Sequence, residues 1–332
     1  MFLKLKYGKI SSYIWHLFSL WKKNLLILGI LVFSGGRIFA YPSFEYNFGL
    51  SLSASNNTVD EFVYQDGNKI SLLEWKRPVI PELSLYGRFC FWKLLLDTRF
   101  NFSIPIKCGS LEDYDYLSSQ EKRISHYSWH ELYTDKDFSI QCTLGVNFLL
   151  QNRLIFIPFA GFCYKNRKFT AQNGYLQYPS YEGELWNSSL AKQQTSGMVI
   201  AYEQAIWYPY IGLEFVLPLS DLAKLGCSCK YFSYVCVDTL DSHILRLTQF
   251  YDSMRNGHIF GTEIFMLINP GVYQRSKTAL LLSVSYETLF CRGNTYYSVI
   301  GTEQAGFIQT KDSESGINDE KLSFSVGLVV NL

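Results

Sequence analysis

Residues 322–332 read LSFSVGLVVNL, and every second residue from Leu322 to Leu332 is apolar while most of those between are small or polar. Successive side chains of an extended chain point to opposite faces, so this stretch predicts a β-strand with one continuously apolar face. Residues 44–52, FEYNFGLSL, alternate in the same way near the other end of the chain. The first and last strands therefore match as neighbours in a closed sheet.

Between these strands the same pattern predicts four hairpins with short turns. The paired segments are 83–91 with 94–106, 138–148 with 154–164, 208–217 with 225–231, and 259–268 with 277–286. Long polar connections separate the pairs, at roughly 107–137, 165–204, 232–258 and 288–320. Short turns at one end and long loops at the other are typical of outer-membrane barrels. We predict an all-β fold, a ten-stranded antiparallel transmembrane β-barrel with long extracellular loops.

The chain ends and the composition agree with export. Residues 1–40 carry six basic residues and no acidic one, followed by an apolar run and Ala40, as in a secretory signal peptide. We expect cleavage after Ala40 and one barrel domain over residues 41–332. Removing the signal leaves 24 basic and 29 acidic residues, a formal charge near −5. A net negative charge does not favour binding to nucleic acid.

Aromatic residues make up 17% of the chain, which suits the aromatic girdles of a membrane barrel, although a secreted β-sandwich is the alternative. The eight cysteines permit disulfides whose pairing the sequence does not disclose. A zinc site built from Cys227, Cys229 and Cys236 is poorly supported, because their spacing lacks paired C-x-x-C motifs. We predict no metal and no cofactor.

Two polar clusters stand at the loop ends of predicted strands. Asp113 and Asp115 are two residues apart, and so are Asp241 and His243. Such spacing puts both members of a pair on one side of an extended chain, and a barrel places the two clusters at one rim. Two carboxylates in one site raise the pKa of at least one, and a carboxylate beside an imidazole orients it as a base. Each pair alone is more often solvated surface, but together they predict a hydrolase.

Other hydrolytic motifs are missing from the sequence. It contains neither the H-E-x-x-H zinc helix nor the G-x-S-x-G nucleophile elbow. His126 and His130, in the predicted loop after Asp115, are alternative bases.

Several stretches resemble the omptins, a family of ten-stranded outer-membrane proteases. They are GNKISLLEWK (67–76), LEDYDYL (111–117), FTAQNG (169–174), PYIGLEF (209–215) and DSH (241–243). The resemblance implies an endopeptidase that faces the cell exterior and acts on peptides or proteins. It assigns catalysis to Asp113, Asp115, Asp241 and His243, with a water between His243 and Asp113 as the nucleophile.

The resemblance also implies cleavage between basic residues, with two acids lining the pocket for the residue before the cut. One acid matches Glu61, whereas the other position falls at Thr239, which is not acidic. The neighbouring Asp238 points to the other face of an extended segment. The resemblance also implies a lipopolysaccharide clamp of basic residues on the outer wall, which would begin at Arg167 and Lys168. Ala205 stands where another basic residue is expected, so we do not carry a lipopolysaccharide requirement over to this chain.

Two rival functions remain at this stage. A barrel of the same fold without turnover would act as an adhesin or surface receptor, although such a protein has no physical reason to keep all four polar residues. A general porin would need a wide aqueous lumen, for which ten strands are few.

Overall fold

The computed structural model describes residues 44–117, 123–150, 154–181, 184–269, 278–299 and 307–331. The predicted signal segment, residues 1–40, lies outside the described residues. Within the described ranges, no helix is long and apolar enough to cross a membrane. Thirteen strands and one turn of 3₁₀ helix, Ile244–Arg246, make up the regular structure there. The strands are β1 (Phe44–Gln65), β2 (Asn68–Phe91), β3 (Leu94–Ser103), β4 (Ile106–Asp115), β5 (His126–Val146), β6 (Phe148–Leu150), β7 (Leu154–Gln177), β8 (Gln193–Pro218), β9 (Ala223–Phe232), β10 (Cys236–His243), β11 (Thr248–Ile268), β12 (Thr278–Val299) and β13 (Ile308–Asn331).

These segments form ten antiparallel barrel strands. β3 and β4 follow one another between β2 and β5, and β9 and β10 do the same between β8 and β11, so each pair is one barrel strand. β6 is a short extension that pairs with the start of β7. The last strand pairs with the first from Asn47↔Asn331 to Gln65↔Ser313, which closes the sheet. The predicted ten-stranded barrel is confirmed.

A band of apolar side chains covers the outside of the barrel. Leu50 and Leu52 of β1 are 49% and 66% exposed, and their ladder partners Leu328 and Val326 of β13 are each 56% exposed. The alternate residues face inward, where Ser53 and Ser325 share a hydrogen bond of 2.9 Å. A continuous apolar surface of this kind is unfavourable in water and matches the lipid-facing band of a membrane barrel.

Ion pairs bridge opposite walls of the lumen inside this band. Arg88 of β2 donates to Asp97 on the adjacent strand and to Glu214 of β8, with the Nη1–Oε1 distance to Glu214 at 3.0 Å. Lys165 and Lys230 both pair with Glu287. These side chains cross the space that a general porin would need for an aqueous channel.

The strands continue well beyond the apolar band, into segments that the sequence pattern predicts as loops. β4 reaches Asp115 and β5 begins at His126, so the predicted connection 107–137 is mostly strand. The loop prediction is wrong here because an outer strand surface above the membrane is polar, which removes the apolar alternation. Outward ion pairs such as Lys168 Nζ–Glu203 Oε1, at 2.7 Å, mark this region.

The predicted position of Arg167 on the outer wall is also wrong. Its side chain is 2% exposed and lies inside the barrel, where Nη1 donates to Asp319 Oδ2 at 2.7 Å and Nε lies 3.4 Å from Asp137 Oδ1. Because successive residues of β7 alternate between faces, Lys168 is the one that points outward. Arg167 stabilises the interior and does not contact lipid.

The apolar band generates a first prediction. We expect Val326→Arg to lower the free energy of unfolding in bilayers by about 2–4 kcal/mol, because a charge at the lipid face must leave water. Denaturant titration of the protein in lipid vesicles measures this. Glu320→Arg, on the same strand above the band, is the control and should cost far less. Equal losses for the two variants would contradict a lipid-facing band.

Candidate active site

The four predicted catalytic residues lie on two strands near opposite sides of the ring. β4 and β10 are four barrel strands apart in one direction and six in the other. Asp113 and Asp115 are buried on the inner face of β4, and Asp241 is buried on the inner face of β10. The two-residue spacing therefore orients both pairs inward, as expected.

One cavity at the rim joins the two pairs. Its volume is about 140 Å³, and Asp113 and His243 both line it. The other lining residues are Ser128, His130, Leu176, Tyr178, Val199, Ile200, Leu245 and Arg246. The closed barrel thus brings together residues that are 130 positions apart in the chain.

Asp241 holds the His243 imidazole in place. His243 Nε2 donates to Asp241 Oδ2 at 2.6 Å, and the edge of the ring meets Phe250 with centroids 5.5 Å apart. Burial lowers the pKa of His243, but the charge and hydrogen bond of Asp241, with the charge of Asp113, together raise this pKa above its usual value. The arrangement leaves Nδ1 as the ring nitrogen that Asp241 does not occupy.

Asp113 is buried without a hydrogen-bond partner for its Oδ1 atom. Burial, together with the nearby Asp115 charge, raises the pKa of Asp113 to about 7, although His243 and Arg246 oppose this shift. A carboxyl group that titrates near neutrality can exchange a proton with a bound reactant. The site therefore contains two groups suited to proton transfer.

Arg246 and Tyr178 are part of the site but are not among the residues selected from sequence. Arg246 Nη2 lies 3.4 Å from Asp115 Oδ2 and 3.3 Å from the Tyr178 hydroxyl. The 3₁₀ turn after His243 brings Arg246 over the cavity, ending at Leu247 in the left-handed region (φ 50°). Arg246 lies only three residues after His243, and this closeness in sequence could have indicated that it belongs to the site. Tyr178 lies in no motif, so the sequence gives no such indication for it.

The two alternative histidines have separate surroundings. His130 lies in the cavity wall, where Nδ1 donates to the Asn173 carbonyl and Nε2 accepts from Ser128 Oγ at 3.0 Å. Burial lowers the pKa of His130, which favours the neutral ring. Both ring nitrogens of this neutral ring are engaged in hydrogen bonds. His126 packs edge-on against Tyr178, with ring centroids 4.8 Å apart. Neither ring has a carboxylate partner like that of His243.

Of the two residues expected in the specificity pocket, Thr239 lies two residues before Asp241 on β10, and Glu61 lies on β1. Glu61 is buried on β1, and burial followed by the Asp241 and Asp252 charges raises its pKa well above the usual value. Thr239 Oγ1 donates to Asp252 Oδ2 at 2.9 Å. Asp238 faces outward, as expected, and pairs with Arg255 at 2.7 Å.

Asp252 was missed by sequence reasoning. It stands on β11 directly opposite Thr239 in the strand ladder, within the predicted connection 232–258. Nothing in its local sequence distinguishes it from a loop acid. Only the pairing of β10 with β11 shows that it faces the lumen.

The described residues contain no group of three or more His, Cys, Asp or Glu side chains arranged to hold a metal ion. Cys227 and Cys229 are exposed on the outer surface, whereas Cys236 is buried. These three thiols do not share a site.

Comparison with known proteins agrees with this architecture. The plasminogen activator of Yersinia pestis is 23% identical over 270 residues, covering 80% of this chain and 81% of that protein. The crystal structure of the outer membrane protease OmpT from Escherichia coli superposes with a TM-score of 0.77 at 18% identity, covering 87% of this chain and 98% of that one. The omptin family model matches residues 44–332. The chain therefore belongs to the omptin family and is an outer-membrane protease.

Proposed function

We propose that this protease hydrolyses peptide bonds with a water molecule held between His243 and Asp113, in a site that faces the cell exterior. The observation that supports this most is the single cavity lined by both residues, with His243 fixed by Asp241. The polar pairs come from opposite sides of the barrel, so a peptide lying across the mouth would pass between them. No covalent intermediate with the enzyme forms in this scheme.

The chemical steps follow from the position of each group. Nδ1 of His243 takes a proton from the water as the water oxygen bonds to the peptide carbonyl carbon. Asp241 stabilises the resulting imidazolium. Asp113 holds the water from the other side, and Arg246 balances the charge of Asp115. The imidazolium then protonates the leaving nitrogen as the C–N bond breaks.

We further propose that the enzyme prefers basic residues next to the scissile bond, through Glu61. This side chain is 3% exposed, its neighbouring donor is the neutral Trp75 side chain, and it lies within the electrostatic reach of Asp241. A buried carboxylate is costly unless a cation reaches it. The side chain of a substrate Arg or Lys supplies that cation.

The remaining proposed partner is outer-membrane lipid, which would contact the exposed apolar band. A lipopolysaccharide requirement would depend on outward-facing basic residues above this band. Lys168 points outward there, and its ladder neighbour Lys136 is exposed, whereas Arg167 is enclosed.

A second prediction tests the proposed base and its partner. Replacing His243 or Asp113 by Ala should each lower kcat by about 10²–10⁴-fold, because proton transfer to a positioned side chain contributes that much. Peptide-cleavage assays on the refolded full barrel measure the effect. His258→Ala, at an exposed position on β11, serves as the matched control and should leave kcat unchanged. Serine-directed covalent inhibitors should not label the protein, and labelling with loss of activity would refute the water mechanism.

A third prediction concerns pH. His243 must be neutral to accept a proton, and its pKa is raised above the usual 6.5, while the pKa of Asp113 is about 7. Activity should therefore fall as pH drops through about 7. Asp241→Asn removes the charge that favours the imidazolium, so the residual activity should have its acidic midpoint at lower pH. An unshifted midpoint in this variant would show that Asp241 does not act on the titrating group.

A fourth prediction concerns Glu61. Glu61→Gln should reduce the preference for Arg over norleucine before the scissile bond by about 10- to 100-fold in kcat/KM, because a hydrogen bond to a charged group contributes about 1.5–3 kcal/mol. Paired peptides that differ only at that residue give the ratio. A variant that cleaves both peptides as the parent does would exclude Glu61 from the pocket.

A further inference from the structure

Negative charge develops on the peptide carbonyl oxygen in the proposed reaction, at a place that carboxylates already surround. Asp113 lines the cavity, and the charge of Asp115 reaches it. On the opposite side, Asp241 is hydrogen-bonded to His243. Carboxylates so close to an oxyanion raise its energy unless a cation or hydrogen-bond donors compensate them. The mechanism therefore requires such a group in the wall of the cavity.

Most side chains of the cavity wall have no donor available for a carbonyl oxygen. Ser128 donates its hydroxyl hydrogen to His130 Nε2 at 3.0 Å, and His130 Nδ1 donates to the Asn173 carbonyl. Two described residues of the wall remain as donors, Arg246 and Tyr178. Four further lining side chains are apolar, namely Leu176, Val199, Ile200 and Leu245.

Arg246 brings a permanent positive charge to the edge of the cavity. Its Nη2 atom lies 3.4 Å from Asp115 Oδ2 and 3.3 Å from the Tyr178 hydroxyl oxygen. Both contacts involve the same terminal nitrogen of a guanidinium that carries five N–H donors. The side chain is 50% exposed, so a peptide that enters through the mouth can reach it. The backbone is held in place, because Thr248 Oγ1 donates to the Arg246 carbonyl at 3.0 Å.

The Tyr178 hydroxyl is a second donor beside this charge. Because its oxygen accepts from Arg246 Nη2, its own hydrogen can point to another acceptor. Burial, followed by the charge of Asp113, raises the pKa of Tyr178, so the hydroxyl stays protonated at neutral pH. The ring is positioned by its edge contact with His126, with centroids 4.8 Å apart. A tyrosine hydroxyl held in this way is suited to stabilise an oxyanion.

We propose that Arg246 and Tyr178 form the oxyanion hole of this protease, with Arg246 as its charged member. The inference rests on the proposed water mechanism and supplies the group that the mechanism requires. As the water oxygen bonds to the carbonyl carbon, its proton passes to His243 and the C=O electron pair moves onto the oxygen that Arg246 and Tyr178 bind. When the C–N bond breaks, the C=O bond forms again and the imidazolium protonates the leaving nitrogen. The cavity, at about 140 Å³, has room for the water and the carbonyl group.

The first test separates kcat from KM. Tyr178→Phe keeps the ring and removes the hydroxyl, and Arg246→Gln removes the charge. Each should lower kcat by about 10²–10³-fold, the loss that follows removal of one oxyanion donor, with little change in KM. Arg246→Lys keeps the charge and should retain more activity than Arg246→Gln. Rates are compared at the pH optimum of each form, because the charge of Arg246 also lowers the pKa of Asp113.

Matched controls come from residues outside the site. Tyr181→Phe changes a ring that is 74% exposed, three residues after Tyr178. Arg292→Gln changes a guanidinium on β12 that pairs with Glu314 at 3.8 Å. Both controls should keep the parent kcat. Heat-shifted electrophoretic mobility shows that each form is folded.

A second test does not need turnover. A peptide with a phosphinate group in place of the scissile amide carries anionic oxygens on a tetrahedral centre, whereas the same peptide with a hydroxyethylene group carries a neutral hydroxyl. In calorimetry, Arg246→Gln and Tyr178→Phe should each weaken phosphinate binding by about 10- to 100-fold, because a hydrogen bond to a charged group is lost. Binding of the hydroxyethylene peptide should change far less.

The outcomes distinguish the oxyanion hole from the water mechanism. If the parent cleaves nothing but the phosphinate difference holds, the water mechanism fails and the anion site stands. If the parent cleaves peptides while both variants keep kcat and phosphinate affinity, the oxyanion hole is overturned. Equal losses of affinity for both peptides would also overturn it, since they would indicate a structural role. A loss with Arg246→Gln alone would remove Tyr178 from the proposal.

Discussion

Closure of the sheet by the β1–β13 ladder is the constraint on which the rest of the structure depends. Hydrocarbon offers no partner for backbone N–H and C=O groups, so a strand edge exposed to lipid would be prohibitively costly. The ladder from Asn47↔Asn331 to Gln65↔Ser313 removes that edge over nearly the whole height of the barrel. Once the ring is closed, each residue must face either the lipid side or the lumen. The apolar outer band and the polar interior are two consequences of one period-two geometry.

In a narrow polar lumen, charged side chains lose hydration, and the extent to which they are paired differs along the barrel. In the membrane-spanning part, buried acids and bases are paired across the lumen, as in the Arg88–Glu214 contact at 3.0 Å. Such pairs compensate the loss of hydration, because an isolated buried charge is far more costly than a paired one. Toward the exterior rim the pairing is incomplete. Asp113 and Asp241 each keep a buried oxygen without a hydrogen-bond partner.

This incomplete pairing is where the chemistry is concentrated. Burial raises the pKa of Asp113 to about 7, and the Asp241 carboxylate raises the pKa of His243. Asp113 thereby titrates near neutral pH, and His243 takes up a proton more readily than a free imidazole, which favours proton transfer. The strands that carry them are held by continuous ladders on both sides, so the reacting groups are placed on rigid elements. Because these strands are rigid, the Asp113 and His243 side chains from opposite walls line one small cavity.

Sequence alone was sufficient for much of this molecule. Alternation in residues 44–52 and 322–332 predicted both the barrel and its closing pair, because the lipid face demands an apolar residue at every second position. The spacing of Asp113 with Asp115, and of Asp241 with His243, predicted that each pair faces one side. The alternation of apolar and polar residues does not indicate strands with a polar outer face or contacts between distant segments, and only the tertiary structure decided these. Above the membrane the outer face is polar, so the alternation disappears and the sequence predicts loops where the strands continue. The resemblance to the omptins predicts Arg167 on the outer wall, whereas its side chain lies inside the barrel. The Arg246 contact and the pairing of Thr239 with Asp252 depend on which residues meet across a ladder or a lumen, and no local pattern encodes that.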